Sequence, residues 1–299
     1  MKISGFSFVR NAVKLFYPIA ESIRSALPLV DEFVIACGDS DDGTTDLIRS
    51  IGDPKIKVTE TVWEPEHFVH GAVNAVQSNI ALDACTGDWC LYLQADEVLH
   101  ERYIPVVREM MERYLDASPV EGLLFDYVHF YGSYDLYQVA HNWYAREVRV
   151  VRNGTGVRSW ESAQGFRIDG RKLRVVPADA EIYHYGWVRP PVHMMKKQIA
   201  LSSVHHDSEW VKNRYPDEDA SFDFGSLNTC RRFTGTHPAV MKERIEATNW
   251  KVKPGRANKK DHKHDRLWVR LLTIIENNIL HRKLGEYRNY VVVDDPLRK

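Results

Sequence analysis

Between Ile3 and Phe130 the chain alternates short apolar runs with amphipathic stretches, and most of the runs stop in a polar cluster. Ile3 to Val9 reads as a strand. Val13 to Leu27 follows with Leu15, Ile19, Ile23 and Leu27 at helical spacing. "DEFVIACGDS" is a second strand, and "TTDLIRSIG" is a short helix opened by Thr and Asp and closed by Gly52. "KIKVTETVW" is a third strand, Val73 to Ala84 a helix, and "DWCLYLQADE" a fourth strand. Ile104 to Leu115 and "VEGLLFDYVHF" add one more helix and strand. This alternation predicts an α/β fold, Rossmann-like, with a mostly parallel sheet and helices on both faces.

In such sheets ligands bind beyond the carboxyl ends of the strands. Three polar clusters sit there: Val9-Arg10-Asn11, Gly38 to Thr44, and Gln94-Ala95-Asp96-Glu97. Their convergence on one sheet edge predicts a binding site. Composition narrows its ligand. The chain has 299 residues with 40 basic and 41 acidic side chains, so a net charge of −1 argues against sequence-independent nucleic-acid binding. No run of about 18 apolar residues and no secretory h-region is present, which predicts a cytoplasmic protein. Cys37, Cys85, Cys90 and Cys230 form no C-x-x-C pair and read as buried free thiols.

Beyond residue 130 the alternation fades. "YAREVRVVRNG" and "KLRVVPADAEIYHYGW" read as strands around the loop "TGVRSWESAQGFRIDG". From Pro190 the pattern predicts a mainly helical extension over 191–299, after an α/β domain over 1–190. Its helices are "MMKKQIALSSVHH" and "DRLWVRLLTIIENNILHRKL", separated by a long loop over 206–235. The second helix, with the charge run at 258–265, is compatible with peripheral contact at an anionic inner-membrane surface, although such stripes more often pack on their own domain. His67 and His70, three apart, read as a surface pair at a helix start rather than a metal site.

The segments "FVRNA", "VDEFVIACGDSDDGTTDLI" and "QSNIALDACTGDWCLYLQADEVL", in this order, resemble the N-terminal domain of family 2 glycosyltransferases, which have the GT-A fold. "HYGWVRPP" and "IENNILHRKLGEYRNY" are similar to one bacterial branch of that family. The resemblance implies a metal-dependent, inverting hexosyl transfer. The donor is a nucleotide-diphospho-sugar, with UDP the commonest. The acceptor is a hydroxyl of a surface glycan or a lipid-linked sugar, as in polysaccharide biosynthesis. It places a divalent ion, Mn²⁺ or Mg²⁺, on Asp96 and His184. Gln94 stands where the family carries the first Asp of D-x-D. It puts Val9, Arg10, Asn11, Asp39, Asp42, Asn79, Gln94 and Ala95 around the nucleotide sugar. Cys37 and Ala12 depart from the pattern, where Asp and Glu are usual. Glu161 is the candidate general base and Trp160 and Trp187 are acceptor contacts, with Asp126, Asp169 and Asp179 as other carboxylates for the base. Asp41 reads as a turn residue, and Glu97 is open between a functional role and capping the following helix.

Two other readings compete. A sugar-nucleotide nucleotidyltransferase would carry a Gly-rich, basic loop after the first strand, and "GFSFVRNAVK" lacks the glycines. A non-catalytic glycan- or nucleotide-binding relative is favoured by the lost Asp and opposed by Asp96, His184 and Glu161.

Overall fold

The computed structural model describes residues 1–68, 71–257 and 260–297, so His70 and the start of the charged run at 258 lie outside the described residues. In chain order the first half runs β1 (Ile3–Val9), α1 (Ile19–Ala26), β2 (Glu32–Cys37), α2 (Thr44–Arg49), β3 (Ile56–Glu60), α3 (Ala72–Asp83), β4 (Trp89–Tyr92), β5 (Glu97–Leu99), α4 (Ile104–Arg113) and β6 (Gly122–Tyr131). The second half runs β7 (Ser133–Gln138), β8 (Arg146–Arg152), β9 (Val157–Trp160), β10 (Gly165–Ile168), β11 (Arg171–Trp187), α5 (Pro191–Ser203), α6 (Ser208–Arg214), β12 (Cys230–Arg232), α7 (Lys242–Glu246), α8 (Leu267–Ile275) and β13 (Tyr290–Val292).

The α/β architecture expected from the alternation is present. One sheet runs in the order β3-β2-β1-β4-β8-β6-β11-β10-β9. Its first four strands are parallel, and β8 lies antiparallel between β4 and β6. β11 then runs parallel to β6 and carries β5 against it. Helices cover both faces. Ile19 and Ile23 of α1, Ile48 of α2 and Val107 and Met111 of α4 pack on one side, while Ala81 and Leu82 of α3 pack on the other.

Several elements depart from the sequence pattern. The helix expected over 13–27 starts only at Ile19. Pro18 lacks an N–H and disfavours helical backbone at Tyr17, so residues 12–17 form a turn instead. Thr44 Oγ1 holds that turn, accepting from Ala12 N at 2.7 Å. Gly132, at φ 73°, turns β6 back into β7, a hairpin the apolar pattern did not reveal. The loop at 155–170 is itself a hairpin, β9–β10. The described residues after 190 carry helices α5 to α8 and also add β12 to β7 and β13 to β11. The last helix ends in a π-helical turn, Glu276–Leu280, with His281 at φ 50°.

Glu147 on β8 is buried, and its Oε1 accepts from Gln164 Nε2 at 2.8 Å. Its Oε2 has no hydrogen-bond partner among the described residues. Burial pushes this carboxyl up to about 7, above its ordinary 4.5. A folded-state value above the unfolded one stabilises the fold fully below the unfolded value and loses that contribution as pH rises through the folded value. Stability should therefore fall from about pH 4.5 to about pH 7. Glu147→Gln should stabilise the protein at pH 8 by up to ~3 kcal/mol and change little at pH 4, as read by denaturant unfolding. An equal effect at both pH values would contradict this.

Candidate active site

The carboxyl ends of β1 and β4 open into a cavity of about 400 Å³. Val9, Arg10, Asn11, Gln94, Ala95, Asp96, His184 and Trp187 line it, so eight of the expected site residues converge there. Lys197, Tyr17, Trp63, Phe68, Tyr144 and Gln198 complete much of the wall, and none of these six was expected from the sequence.

The turn that presents Asp96 is held from below. Glu97 and Arg149 form a fully buried pair, with Nε–Oε2 at 2.8 Å and Nη2–Oε1 at 2.9 Å. The guanidinium lies between the rings of Tyr92 and Tyr127, 5.2 and 5.3 Å from their centroids. Tyr127 Oη and Gln94 N also donate to the Glu97 carboxylate. Glu97 thus anchors the turn through Arg149, Tyr127 and Gln94.

Asp96 points the other way, into the cavity. Its Oδ2 accepts from Lys197 Nζ at 3.0 Å, and Arg189 Nη2 lies 3.9 Å away. Burial alone would raise the Asp96 carboxyl. Lys197, His184 and Arg189 outweigh it and hold the group well below the usual carboxylate range. Lys197 is itself lowered to about 8 by burial, opposed by Asp96. Its ammonium has three donors. One meets Asp96 and another the Gly186 carbonyl at 2.7 Å, which leaves one for the cavity.

The His184 tautomer follows from its neighbours. His129 Nε2 lies 2.8 Å from the Tyr144 carbonyl, so it must carry the proton. Burial lowers His129 well below its ordinary value and keeps it neutral, so its Nδ1 is an acceptor. His184 Nδ1, 3.0 Å away, must then donate. Burial also lowers His184, so its Nε2 is a bare lone pair, 3.8 Å from Asp96 Oδ1. Two acceptors facing each other across this gap suit a cation between them. A backbone-anchored histidine behind a ligand histidine is also how metal sites fix a tautomer. The donor set of Asp96 and His184 would suit a divalent ion such as the resemblance implies, and Lys197 already matches part of the Asp96 charge. Among the described residues no group of three or more His, Cys, Asp or Glu could hold a metal, so substrate oxygens would have to supply the remaining ligands.

At the other end of the cavity the wall is aromatic. Phe8 and Trp63 rings lie 6.2 Å apart, and the Arg10 guanidinium is 5.7 Å from Trp63. Asp39 fixes this corner: it pairs with Arg10 at 3.0 Å and accepts from Trp63 N at 3.1 Å. Asp42 closes the turn before α2, accepting from Lys14 N and from Thr44. Asn79 clips α3 to Ser159 of β9 through both ends of its amide. The side chains of Asp39, Asp42 and Asn79 are thus engaged in the frame around the cavity.

Glu161 and Trp160 line a second, adjoining pocket with His141, Trp143 and Tyr287; Tyr144, Ser162 and Gln164 are shared by both pockets. Glu161 and Ala163 sit at φ 50° and 59°, the left-handed region that non-glycine residues rarely adopt. This turn is tied to the strand end: Ala163 O accepts from Tyr92 Oη and from Gln94 Nε2. A carboxylate cannot donate such a bond, so the amide of Gln94 has a physical role at this position. Asp126, Asp169 and Asp179 line neither pocket.

No family model and no curated protein matches the chain. Among solved structures it is similar to S. aureus TarS 1–349 in complex with UDP, at 14% identity and TM-score 0.39, over 68% of this chain and 65% of that one. It is also similar to glucosyl-3-phosphoglycerate synthase from Mycobacterium tuberculosis with Mn²⁺, UDP and phosphoglyceric acid, at 20% identity and TM-score 0.29, over 44% and 43%. Mannosyl-3-phosphoglycerate synthase from Rubrobacter xylanophilus gives 20% identity and TM-score 0.30, over 45% and 42%. Each match spans less than two thirds of the other chain. The likenesses are too distant to assign a role to any residue.

Gly186 leaves the space in which the site assembles. A Cβ there would lie 2.7 Å from Asp96 Oδ2 and would overlap His184 Nε2. Gly186→Ala should therefore push Asp96 and His184 apart and weaken binding of Mn²⁺ with nucleoside diphosphate at least tenfold, measured by calorimetry. Unchanged affinity would remove this pair from the site.

Proposed function

We propose that this chain is a GT-A-type glycosyltransferase that moves a sugar from a nucleotide-diphospho-sugar to a hydroxyl of a glycan or lipid-linked acceptor, with inversion. The observation that supports it is the polarity of the cavity. An aromatic, Arg10-bearing corner suits a nucleobase, and a buried ammonium beside Asp96 and His184 suits a diphosphate. Uridine is the favoured base because it is the commonest donor base in the resembled family.

Val9, Arg10 and Asn11 would meet the base and ribose, with Arg10 kept in place by Asp39. The third donor of Lys197 would reach a diphosphate oxygen, a charge-assisted bond in a place sheltered from water. Asp96, Lys197 and Arg189 together carry one net positive charge, less than the two or three negative charges of a bound nucleoside diphosphate. A divalent ion, Mn²⁺ or Mg²⁺, held by Asp96 and His184 would supply the missing charge and stabilise the leaving group. Glu161 would take the acceptor proton from the adjoining pocket, with Trp160 and Trp187 flanking the sugars.

Calorimetric titration of UDP should show binding that Mn²⁺ strengthens, and Asp96→Ala or Lys197→Met should weaken it by about 10- to 100-fold. Absence of UDP, GDP and dTDP binding with and without Mn²⁺ would refute the donor reading. Glu161→Gln should bind the donor normally but transfer ~10²- to 10⁴-fold more slowly in steady-state assays with donor and acceptor varied separately. Trp160→Ala should raise the acceptor KM instead. Near-normal turnover in Glu161→Gln would take the base role away from it.

A further inference from the structure

Helix α8 packs with its amphipathic pattern turned outward. Val269 is buried, and the hydrogen bonds that tie the helix to the body come from polar side chains: Thr273 Oγ1 accepts from His141 N at 2.9 Å, and Glu276 Oε1 lies 2.6 Å from His141 Nδ1. Asn277 Nδ2 donates to the Val139 carbonyl, and Lys283 Nζ to the Ala140 carbonyl. Most of its apolar side chains face solvent. Leu267, Trp268, Leu271, Ile274 and Ile279 are all more than half exposed, Ile279 most of all at 67%. A solvent-exposed helix normally shows water its polar face. Contiguous apolar surface of this kind marks an interaction site.

The charge of the chain that flanks the stripe says what covers it. Residues 251–288 contain eleven Lys and Arg against four Asp and Glu, a net of +7 in a chain whose total is −1. Lys251, Lys253, Arg256, Lys263, Arg282 and Arg288 are exposed. Among the described residues no helix is long and apolar enough to cross a membrane. An outward apolar stripe with a tryptophan, flanked along the chain by basic residues, on a helix too short to span, has the composition of an element that lies in the plane of an anionic bilayer surface.

We propose that α8 and its basic surroundings dock this protein on an anionic lipid surface, with Leu267, Trp268, Leu271, Ile274 and Ile279 entering the headgroup boundary. The surface is separate from the cavity, so docking does not rest on the sugar-transfer reading. One consequence does. Trp268 lies 5.8 Å ring-to-ring from His141, which lines the pocket of Glu161, so docking would bring a lipid-linked hydroxyl to that pocket.

The test is co-sedimentation of the full chain with vesicles of phosphatidylcholine alone or mixed with phosphatidylglycerol. Binding to the mixed vesicles is expected, weakening as salt is raised. Leu271→Glu with Ile274→Glu should lower the bound fraction at least tenfold and leave UDP affinity unchanged. The single variant Ile279→Ser should weaken binding to a smaller degree, and circular dichroism checks that both stay folded. Wild-type protein that stays in the supernatant with the mixed vesicles overturns the proposal. So does a monomer–dimer equilibrium that the double variant abolishes while vesicle binding persists, because the stripe then binds a second copy.

Discussion

The buried pair of Glu97 and Arg149 holds the site together. Both side chains are fully removed from water, and each is satisfied by more than its partner: Glu97 by Tyr127 and Gln94, Arg149 by the carbonyls of Val148 and Gln164. Replacing such a pair with apolar groups can be neutral, but removing one member leaves a lone buried charge and typically costs about 3–5 kcal/mol. The pair therefore specifies geometry more than it adds stability. It locks the turn at 94–97 against β8, and through Gln164 it also holds the turn that carries Glu161. The strand end and the left-handed turn on either side of the cavity are fixed by one guanidinium.

On that frame the polar interior is organised as a relay. The Tyr144 carbonyl orders His129, His129 orders His184, and His184 offers its free nitrogen toward Asp96. Lys197 steadies the far oxygen of Asp96 from α5, a helix that follows β11 directly after the Arg189-Pro190 turn. A low-dielectric interior makes each of these contacts strong and each unmatched charge expensive. Such a site would suit an anion that brings its own counter-charge.

The two pockets and the helix α8 give the molecule a direction. The aromatic corner, Phe8 of β1 and Trp63 after β3, lies toward the β3 edge of the sheet, Tyr144 is shared with the Glu161 pocket, and the outward apolar stripe adjoins that pocket through His141. Donor, acceptor and lipid surface would then follow one another across the protein.

The sequence by itself determined the α/β alternation, because strand and helix periods leave different spacings of apolar residues along the chain. The polar ends of the first and fourth strands meet at one cavity, with Val9, Arg10, Asn11, Gln94 and Asp96 on its wall, while the cluster at 38–44 does not line it; His184 and Trp187, also on that wall, were expected only from the resemblance. The sequence did not show β7, whose only mark is Gly132 between two aromatic-rich runs, or the late start of α1, where Pro18 overrides the helical spacing of Leu15 and Ile19. Only the tertiary structure decided the partners. Arg149 and Lys197 lie 52 and 101 residues from the carboxylates they meet, and a charged residue in a strand or helix pattern reads as solvent-facing until a counter-charge is placed against it. The same holds for α8: its period gives an apolar face, but which way that face turns depends on His141 and Lys283 meeting its polar side.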